Sequence, residues 1–188
     1  PESLHALASV PSVRRGQAKE NPPVAPVPRD VIEKTIQFLP DELRAVVKIQ
    51  LLTGARPGEV LSLTGEQFVN AAAPHPVTIE KHKTAHLGEQ RIIVFGPEAL
   101  SVITPWIRPG KLFSYNTNTY GQAVRRACRR AGVPRWHPHQ LRHTAACEIR
   151  DAFGLEAVQA VLGHKSIKTT EVYAKTSLGR ALRVAETR

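Results

Sequence analysis

Two histidines and an arginine cluster at the start of one predicted helix, directly after Pro138. Proline suits the first position of a helix, because its φ is already helical and that position needs no backbone N–H. His139 and Arg142 then share one helix face, and His143 lies one turn from His139. A helix N-terminus, an arginine fork and an imidazole together favour an anion site with proton transfer. On these residues alone, a surface helix with incidental charges is the simpler interpretation.

A second group of candidates lies earlier in the chain. Arg56 falls in the short connection between an apolar helix that stops at Gly54 and a helix that opens at Pro57. An arginine in such a loop must reach solvent or meet an anion, and Glu59, three residues later, could clamp its guanidinium. Lys83 lies in a predicted hairpin just before the turn, where a flexible ammonium could reach across a groove. An ordinary exposed hairpin lysine is the alternative.

The last candidates lie near the C-terminus. His164 follows Gly163 at the end of an apolar predicted helix, and the glycine turn would project the imidazole from the helix end. Tyr173 comes nine residues later, in a polar segment with helical spacing. A tyrosine on such a helix is usually a core-edge residue with a solvated hydroxyl, so neither residue defines a site by itself.

Taken in order, these residues resemble the tyrosine recombinases, also called the phage integrase family. The resemblance covers most of residues 30–180. Each motif is weak alone, but their ordered conjunction is specific. The motifs are Thr53-Gly54-Ala55-Arg56-Pro57-Gly58-Glu59, the hairpin lysine Lys83, His139-Gln140-Leu141-Arg142-His143, Leu162-Gly163-His164 and Tyr173.

The resemblance implies phosphoryl transfer on DNA. Tyr173 would attack the scissile phosphate and leave a 3′-phosphotyrosyl enzyme with a free 5′-hydroxyl. Charge that develops on the nonbridging oxygens favours two bidentate cations, Arg56 and Arg142, over mobile lysines. Lys83 would protonate the departing 5′-oxygen as general acid, and His139 would accept the proton of the tyrosine.

Further roles follow from the same resemblance. His164 would hydrogen-bond a nonbridging oxygen, while Glu59 and His143 would orient the residues that contact the phosphate. Lys81 is an alternative general acid, because the predicted hairpin turn is longer than in many family members. We prefer Lys83, which lies nearer the turn.

No metal or other cofactor is expected. The arginines supply the positive charge, and the covalent link conserves the energy of the phosphodiester. Metal-dependent nucleases need several carboxylates at one site. Residues 125–188 offer five, none at evident ligand spacing: Glu148, Asp151, Glu156, Glu171 and Glu186. Cys128 and Cys147 form no CxxC or zinc-type cluster and are predicted to be reduced, partly buried thiols.

The function expected from the resemblance is site-specific DNA recombination or integration, with cutting and rejoining through a 3′-phosphotyrosyl intermediate. A type IB topoisomerase or a hairpin-forming resolvase would use the same chemistry with another outcome, but the spacing of the two histidine motifs favours a recombinase. A non-catalytic basic DNA-binding module is the alternative from another class.

The scaffold that must position these residues is predicted to be mainly helical. Residues 77–83 and 90–95 are rich in β-formers around a hairpin loop, with 67–69 as a candidate third strand. Asp30 and Glu33 form a predicted capping box. We expect an α+β fold, mainly α with a small antiparallel β-sheet, as in the tyrosine recombinase catalytic core. Helical spacing predicts helices over 30–39, 41–53, 57–63, 97–107, 118–131, 138–153, 155–162, 166–175 and 178–186.

Charge indicates a polyanionic partner. The chain has 26 Lys and Arg against 16 Asp and Glu, a net charge of +10. Residues 125–188 carry 13 basic and 5 acidic residues, so +8 of that excess lies in the last third. Neutralising phosphates releases condensed counterions, which favours double-stranded DNA as the partner. A basic face kept for solubility is the alternative on charge alone.

Proline content predicts the domain organisation. Seven of the 15 prolines fall within the first 40 residues, so residues 1–29 are predicted to be an extended linker. The catalytic domain is expected to span 30–188, including a C-terminal helix at about 178–186. Full-length family members usually carry a separate upstream core-binding domain, which we expect to lie outside this chain because 1–29 is too short for it.

The resemblance also implies a homo-tetramer on paired DNA sites, with the isolated domain a monomer. The C-terminal helix would dock on a neighbouring protomer or pack against its own domain. No apolar run approaches the roughly 20 residues of a membrane helix, and no secretory leader is present. We therefore expect no membrane partner and a cytoplasmic, nucleoid-associated protein of bacterial or phage type.

Overall fold

The computed structural model describes residues 24–79 and 91–163. Two strands, β1 (His75–Ile79) and β2 (Arg91–Phe95), pair antiparallel with Val77 opposite Ile93. This confirms the expected fold class, mainly helical with a small antiparallel sheet. Short 3₁₀ helices span Gly65–Phe68 and Thr104–Trp106. The α-helices in these ranges are α1 (Arg29–Ile36), α2 (Asp41–Thr53), α3 (Pro57–Leu61), α4 (Pro97–Ile103), α5 (Thr117–Ala131), α6 (His139–Phe153) and α7 (Leu155–Leu162).

Helix α2 lies at the centre of the fold and packs against α3, α4, α6 and β2. Eight of its 13 residues are buried, as expected for a helix that several other elements cover. Gly54 ends it in the left-handed conformation, with φ 65°. A Cβ at Gly54 would lie 2.7 Å from Cδ2 of Leu162, so glycine is needed for the close approach of α7 as well as for the turn.

Strand β2 alternates strictly between the core and the outside. Its first, third and fifth residues, Arg91, Ile93 and Phe95, are buried, whereas Ile92 and Val94 are exposed. The pattern therefore places a charged side chain on the same inward face as two large apolar ones.

The chain before α1 also packs on the core. The backbone N–H of Val27 donates to Oγ1 of Thr144 at 2.9 Å, and Nε2 of Gln140 donates to the carbonyl of Ala25 at 3.0 Å. Val27 is itself buried. These contacts attach residues 25–27 along α6.

Two local predictions are wrong. Helix α1 begins at Arg29 after Pro28, so Asp30 lies in the first turn and does not cap the helix. Residues 67–69 form no strand: the chain turns through the 3₁₀ helix, with Oε1 of Gln67 accepting the backbone N–H of Thr64 at 3.0 Å. Thr64 makes only an isolated bridge, to Lys111.

Other helix predictions differ at their ends. The helix predicted over 97–107 divides at Thr104, because Pro105 supplies no N–H to continue it. The helices predicted over 166–175 and 178–186 lie outside the described residues. Across 24–79 and 91–163, every helix is too short or too polar to cross a lipid bilayer.

Candidate active site

Arg56 is held at the start of α3 by its own neighbour in the next turn. Its Nη1 donates to Oε1 of Glu59 at 2.6 Å, and its backbone N–H donates to Oε2 at 2.8 Å. The predicted clamp is therefore present. The Arg56 side chain is 38% exposed while that of Glu59 is 5% exposed. The buried carboxylate therefore orients a guanidinium that is itself partly open to solvent.

Glu59 is ionised in spite of its burial. Burial by itself would raise the pKa of Glu59, but the Arg56 N–H, the charge of Arg91 and the Arg56 guanidinium together hold it below its ordinary value. A buried carboxylate with these partners acts as a fixed anchor for the surrounding cations.

Arg142, in the first turn of α6, joins the ends of two other helices. Its Nη1 donates to the carbonyl of Gly54 at 2.8 Å, and its Nη2 donates to the carbonyl of Leu162 at 2.7 Å. Gly54 caps α2 and Leu162 is the last residue of α7, so the guanidinium lies at two negative helix ends. Because Gly54 stands two residues before Arg56, both arginines belong to one region of the fold.

His139 lies among these charges as the first residue of α6. Burial lowers the pKa of His139 most, and the charges of His137, Arg56 and Arg142 lower it further, while Glu59 opposes them. The imidazole is therefore neutral near pH 7 and able to accept a proton. Burial, then the charge of Arg142, likewise lowers the pKa of His143 one turn later.

A buried glutamine aligns the two elements that carry these residues. Nε2 of Gln50 donates to the carbonyl of Ala55 at 3.2 Å and to that of Pro138 at 3.3 Å. Its Oε1 accepts the hydroxyl of Tyr120 at 2.9 Å. Ala55 precedes Arg56 and Pro138 precedes His139, so Gln50 sets the distance between the α3 and α6 starts.

Arg91 is a member of this cluster that the sequence analysis missed. Its Nε lies 3.5 Å from Oε2 of Glu59, and its Nη1 donates to the carbonyl of Val161 at 3.0 Å. The alternation of β2 is the local signal that could have found it, because a charge at an inward strand position needs a buried partner.

The remaining predicted residues, Lys83, the alternative Lys81, His164 and Tyr173, lie outside the described residues. The structure therefore brings together Arg56, Glu59, Arg142, His139 and His143. Within 24–79 and 91–163 it contains no group of three or more His, Cys, Asp or Glu side chains able to hold a metal ion.

The fold and this cluster agree with comparisons to known proteins. The chain belongs to the phage integrase family, whose family model matches residues 27–179. Among its relatives is the tyrosine recombinase XerC of Bifidobacterium longum subsp. infantis, 30% identical over 159 residues that cover 71% of this chain and 43% of the relative. Tyrosine recombinase XerA of Saccharolobus solfataricus is 28% identical over 135 residues, covering 69% of this chain and 44% of the relative. The chain thus spans less than half the length of these relatives.

Solved structures share the fold. XerH recombinase in a post-cleavage complex with a palindromic difH substrate aligns with a TM-score of 0.68 and 21% identity, over 90% of this chain and 55% of that one. The catalytic domain of bacteriophage HP1 integrase aligns with a TM-score of 0.63 and 24% identity, over 87% of this chain and 94% of that one. The family resemblance drawn from the motifs is confirmed.

Proposed function

We propose that this chain is the catalytic domain of a site-specific DNA recombinase that cuts and rejoins strands through a 3′-phosphotyrosyl intermediate. The observation that carries the proposal is the convergence of two arginines and a neutral imidazole. Arg142 binds the carbonyl of Gly54, two residues before Arg56, and the pKa of His139 responds to both guanidinium charges. That is the arrangement a pentacoordinate phosphate needs.

In the proposed reaction, the hydroxyl oxygen of Tyr173 forms a bond to phosphorus and the bond from phosphorus to the 5′-oxygen breaks. His139 takes the proton of the tyrosine, a role that its lowered pKa supports. Lys83, or Lys81 in its place, gives a proton to the departing 5′-oxygen. Reversal of these steps by another 5′-hydroxyl rejoins the strand and regenerates the tyrosine.

Charge stabilisation in this mechanism comes from the arginines. Arg56 and Arg142 would bind the nonbridging oxygens as bidentate donors, and His164 would add a hydrogen bond. The N–H groups used would be other than those that Arg56 donates to Glu59 and that Arg142 donates to the two helix ends. Glu59 acts on Arg56 by orienting it, through the 2.6 Å contact at Nη1. His143, one turn after His139 on α6, would help to orient His139 and Arg142.

We propose double-stranded DNA as the partner. Helix α5 presents four exposed arginines, Arg125, Arg126, Arg129 and Arg130, which is the expected footprint for a polyphosphate backbone. The XerH relative was solved in complex with its difH substrate, which supports the same partner here. Recombinase relatives also favour strand exchange over a topoisomerase-like or hairpin-resolving outcome.

The assembly is proposed on the same basis. Residues 30–188 would form the catalytic domain with a C-terminal helix at 178–186, and 1–29 would be a linker whose residues 25–27 pack along α6. Four such domains would assemble on paired DNA sites at the bacterial nucleoid, with an upstream core-binding domain that clamps the other side of the duplex. Coverage of 43% of the XerC relative supports the assignment of this chain to one domain of a larger protein.

Covalent trapping tests the proposal. The substrate is a pool of duplexes with a randomised centre and a nick beside the test phosphate. Cleavage releases the short fragment that carries the 5′-hydroxyl, so the strand cannot be rejoined and the covalent adduct accumulates. The adduct is separated from free protein on a denaturing gel. Wild type should form the adduct and Tyr173→Phe should not. The chain has three tyrosines, and Tyr115→Phe serves as the matched control, with wild-type trapping expected. Equal trapping by Tyr173→Phe would overturn the nucleophile assignment.

The arginines are tested in the same assay. Arg142→Lys keeps the charge but loses the fork, so cleavage should fall by about 100-fold or more with DNA affinity within about threefold. Cleavage by Arg142→Lys at the wild-type rate would refute bidentate phosphate binding.

A further inference from the structure

Arg91 makes contacts that the proposed chemistry does not use. Its side chain is 6% exposed, and its Nη1 donates to the carbonyls of Ile92 at 3.1 Å and Val161 at 3.0 Å. Its Nε lies 3.5 Å from Oε2 of Glu59. One guanidinium therefore connects strand β2, helix α3 and the C-terminal end of α7.

The first consequence concerns charge. Arg56 and Arg91 both face the single carboxylate of Glu59, one at each oxygen. Burial lowers the pKa of Arg91 most, Glu59 opposes this, and the charge of Arg56 lowers it further, as expected for two cations sharing one anion. The three groups together carry a net charge of +1. If Glu59 faced Arg56 alone, the pair would be neutral and would attract a phosphate less strongly.

The second consequence concerns the end of α7. The last carbonyls of a helix have no partner within the helix. Arg91 binds that of Val161 and Arg142 binds that of Leu162, so two cations hold consecutive carbonyls. Gly163 follows with φ 64°, and a Cβ there would lie 3.1 Å from Nη1 of Arg91. The guanidinium thus packs against Gly163, directly after the last residue of α7.

Packing does not explain an arginine at this position. Nη2 of Arg91 is buried and has no hydrogen-bond partner in the part of the chain that the structure describes. An unsatisfied buried donor is unfavourable, and an apolar residue beside Ile93 and Phe95 on the inward face of β2 would avoid it. The unfavourable burial of this donor indicates that Arg91 has a role other than packing in the core.

We propose that Arg91 is a positioning residue of the phosphate site. It shares the charge of Glu59 so that Arg56 remains available to a phosphate, and it fixes the end of α7 directly before His164. This inference rests on the proposed function, because it assigns Arg91 a part in the same reaction.

The test compares three substitutions of buried arginines. Arg91→Met removes the charge and all its donors, while Arg91→Lys keeps the charge. Arg150→Met is the matched control: Arg150 is also 6% exposed, but its Nε and Nη2 donate to Oδ1 of Asp151, at 2.9 and 2.8 Å, near the far end of α6. For each variant one measures the unfolding midpoint, the Kd for duplex DNA and the single-turnover cleavage rate of the bound nicked duplex pool.

Arg91→Met should lower the cleavage rate of bound DNA by about 10- to 100-fold, the range for residues that orient groups contacting a ligand. Its Kd for DNA should stay within about threefold, and Arg91→Lys should restore part of the rate. Arg150→Met should cleave within about twofold of wild type at a comparable loss of stability. Wild-type cleavage by folded Arg91→Met, or by the likewise uncharged Arg91→Gln if the methionine variant does not fold, would overturn the inference.

A double variant separates charge sharing from simple support. In Arg91→Met, Glu59 opposes Arg56 alone, so adding Glu59→Gln restores the net charge of +1, although it also weakens the contact that orients Arg56. Charge sharing therefore predicts that Glu59→Gln lowers the cleavage rate less in the Arg91→Met background than in wild type. An equal or larger loss in the Arg91→Met background would contradict charge sharing. If wild type forms no adduct, the proposed function fails; if wild type traps DNA and Arg91→Met cleaves equally fast, only this inference fails.

Discussion

Gln50 offers the sharpest test of how the fold positions the site. The substitution Gln50→Leu nearly conserves volume but removes three hydrogen bonds, to the Tyr120 hydroxyl and to the carbonyls of Ala55 and Pro138. Gln50 is completely buried, so water cannot replace the lost partner without rearrangement. At about 1 kcal/mol for each hydrogen bond, the free energy of unfolding should fall by about 3 kcal/mol.

Urea denaturation measures this loss. With an m-value of about 2 kcal/mol/M, a loss of about 3 kcal/mol lowers the urea midpoint by about 1.5 M. Gln140→Leu is the matched control, because the contacts of Gln140 with the Ala25 carbonyl and with the His137 N–H are both exposed and water can take their place. The free energy of unfolding of Gln140→Leu should fall by less than about 1 kcal/mol.

A second substitution checks the mechanism. Tyr120→Phe removes the hydroxyl that Gln50→Leu leaves buried, so it should destabilise the Gln50→Leu background by less than it destabilises wild type, with a coupling of about 1 kcal/mol. A midpoint for Gln50→Leu within about 0.3 M of wild type would refute the reasoning.

The remaining predictions concern one glycine and two buried acids. Gly54→Ala should destabilise by at least about 1 kcal/mol more than Gly132→Ala in the same urea assay, because both have φ 65° but only the Gly54 Cβ would meet Leu162. Burial raises the pKa of Glu59, but the neighbouring Arg56 N–H and the two arginine charges lower it by more. Glu59 should therefore stabilise the fold above about pH 4.3, and this stabilisation should be lost as the pH falls further. In Glu59→Gln, the free energy of unfolding should depend less on pH in this acidic range. Burial raises the pKa of Tyr120 well above its ordinary value, so the corresponding stability should be present below about pH 10 and be lost as the pH rises further, a loss absent in Tyr120→Phe.

Features with a local cause could be predicted from the sequence. The apolar spacing of α2 and the glycine that ends it depend on neighbouring residues, and so does the three-residue spacing that lets Glu59 clamp Arg56. The family motifs then predicted which residues would act together, because the reaction that the resemblance implies needs all of them. The prediction that Arg56, Arg142 and His139 share a region agrees with the contacts at Gly54.

Features with a tertiary cause could not be predicted. Gln50 and Arg91 bind carbonyls of distant elements, and nothing in their neighbours says which carbonyls those will be. The wrong strand at 67–69 has a similar origin: Phe68 and its apolar neighbour resemble a strand, but Gly65 packs so closely that a Cβ there would lie 2.0 Å from the Arg108 carbonyl, and the chain turns.

The central claim is that one tyrosine becomes covalently linked to DNA, and it can be tested by mass spectrometry of the trapped adduct. After nuclease and protease digestion, the account predicts a nucleotide remnant on the peptide that contains Tyr173 and none on any peptide that contains Tyr115 or Tyr120. A remnant on either of those tyrosines or on another residue type would contradict it, as would DNA cleaved without any adduct.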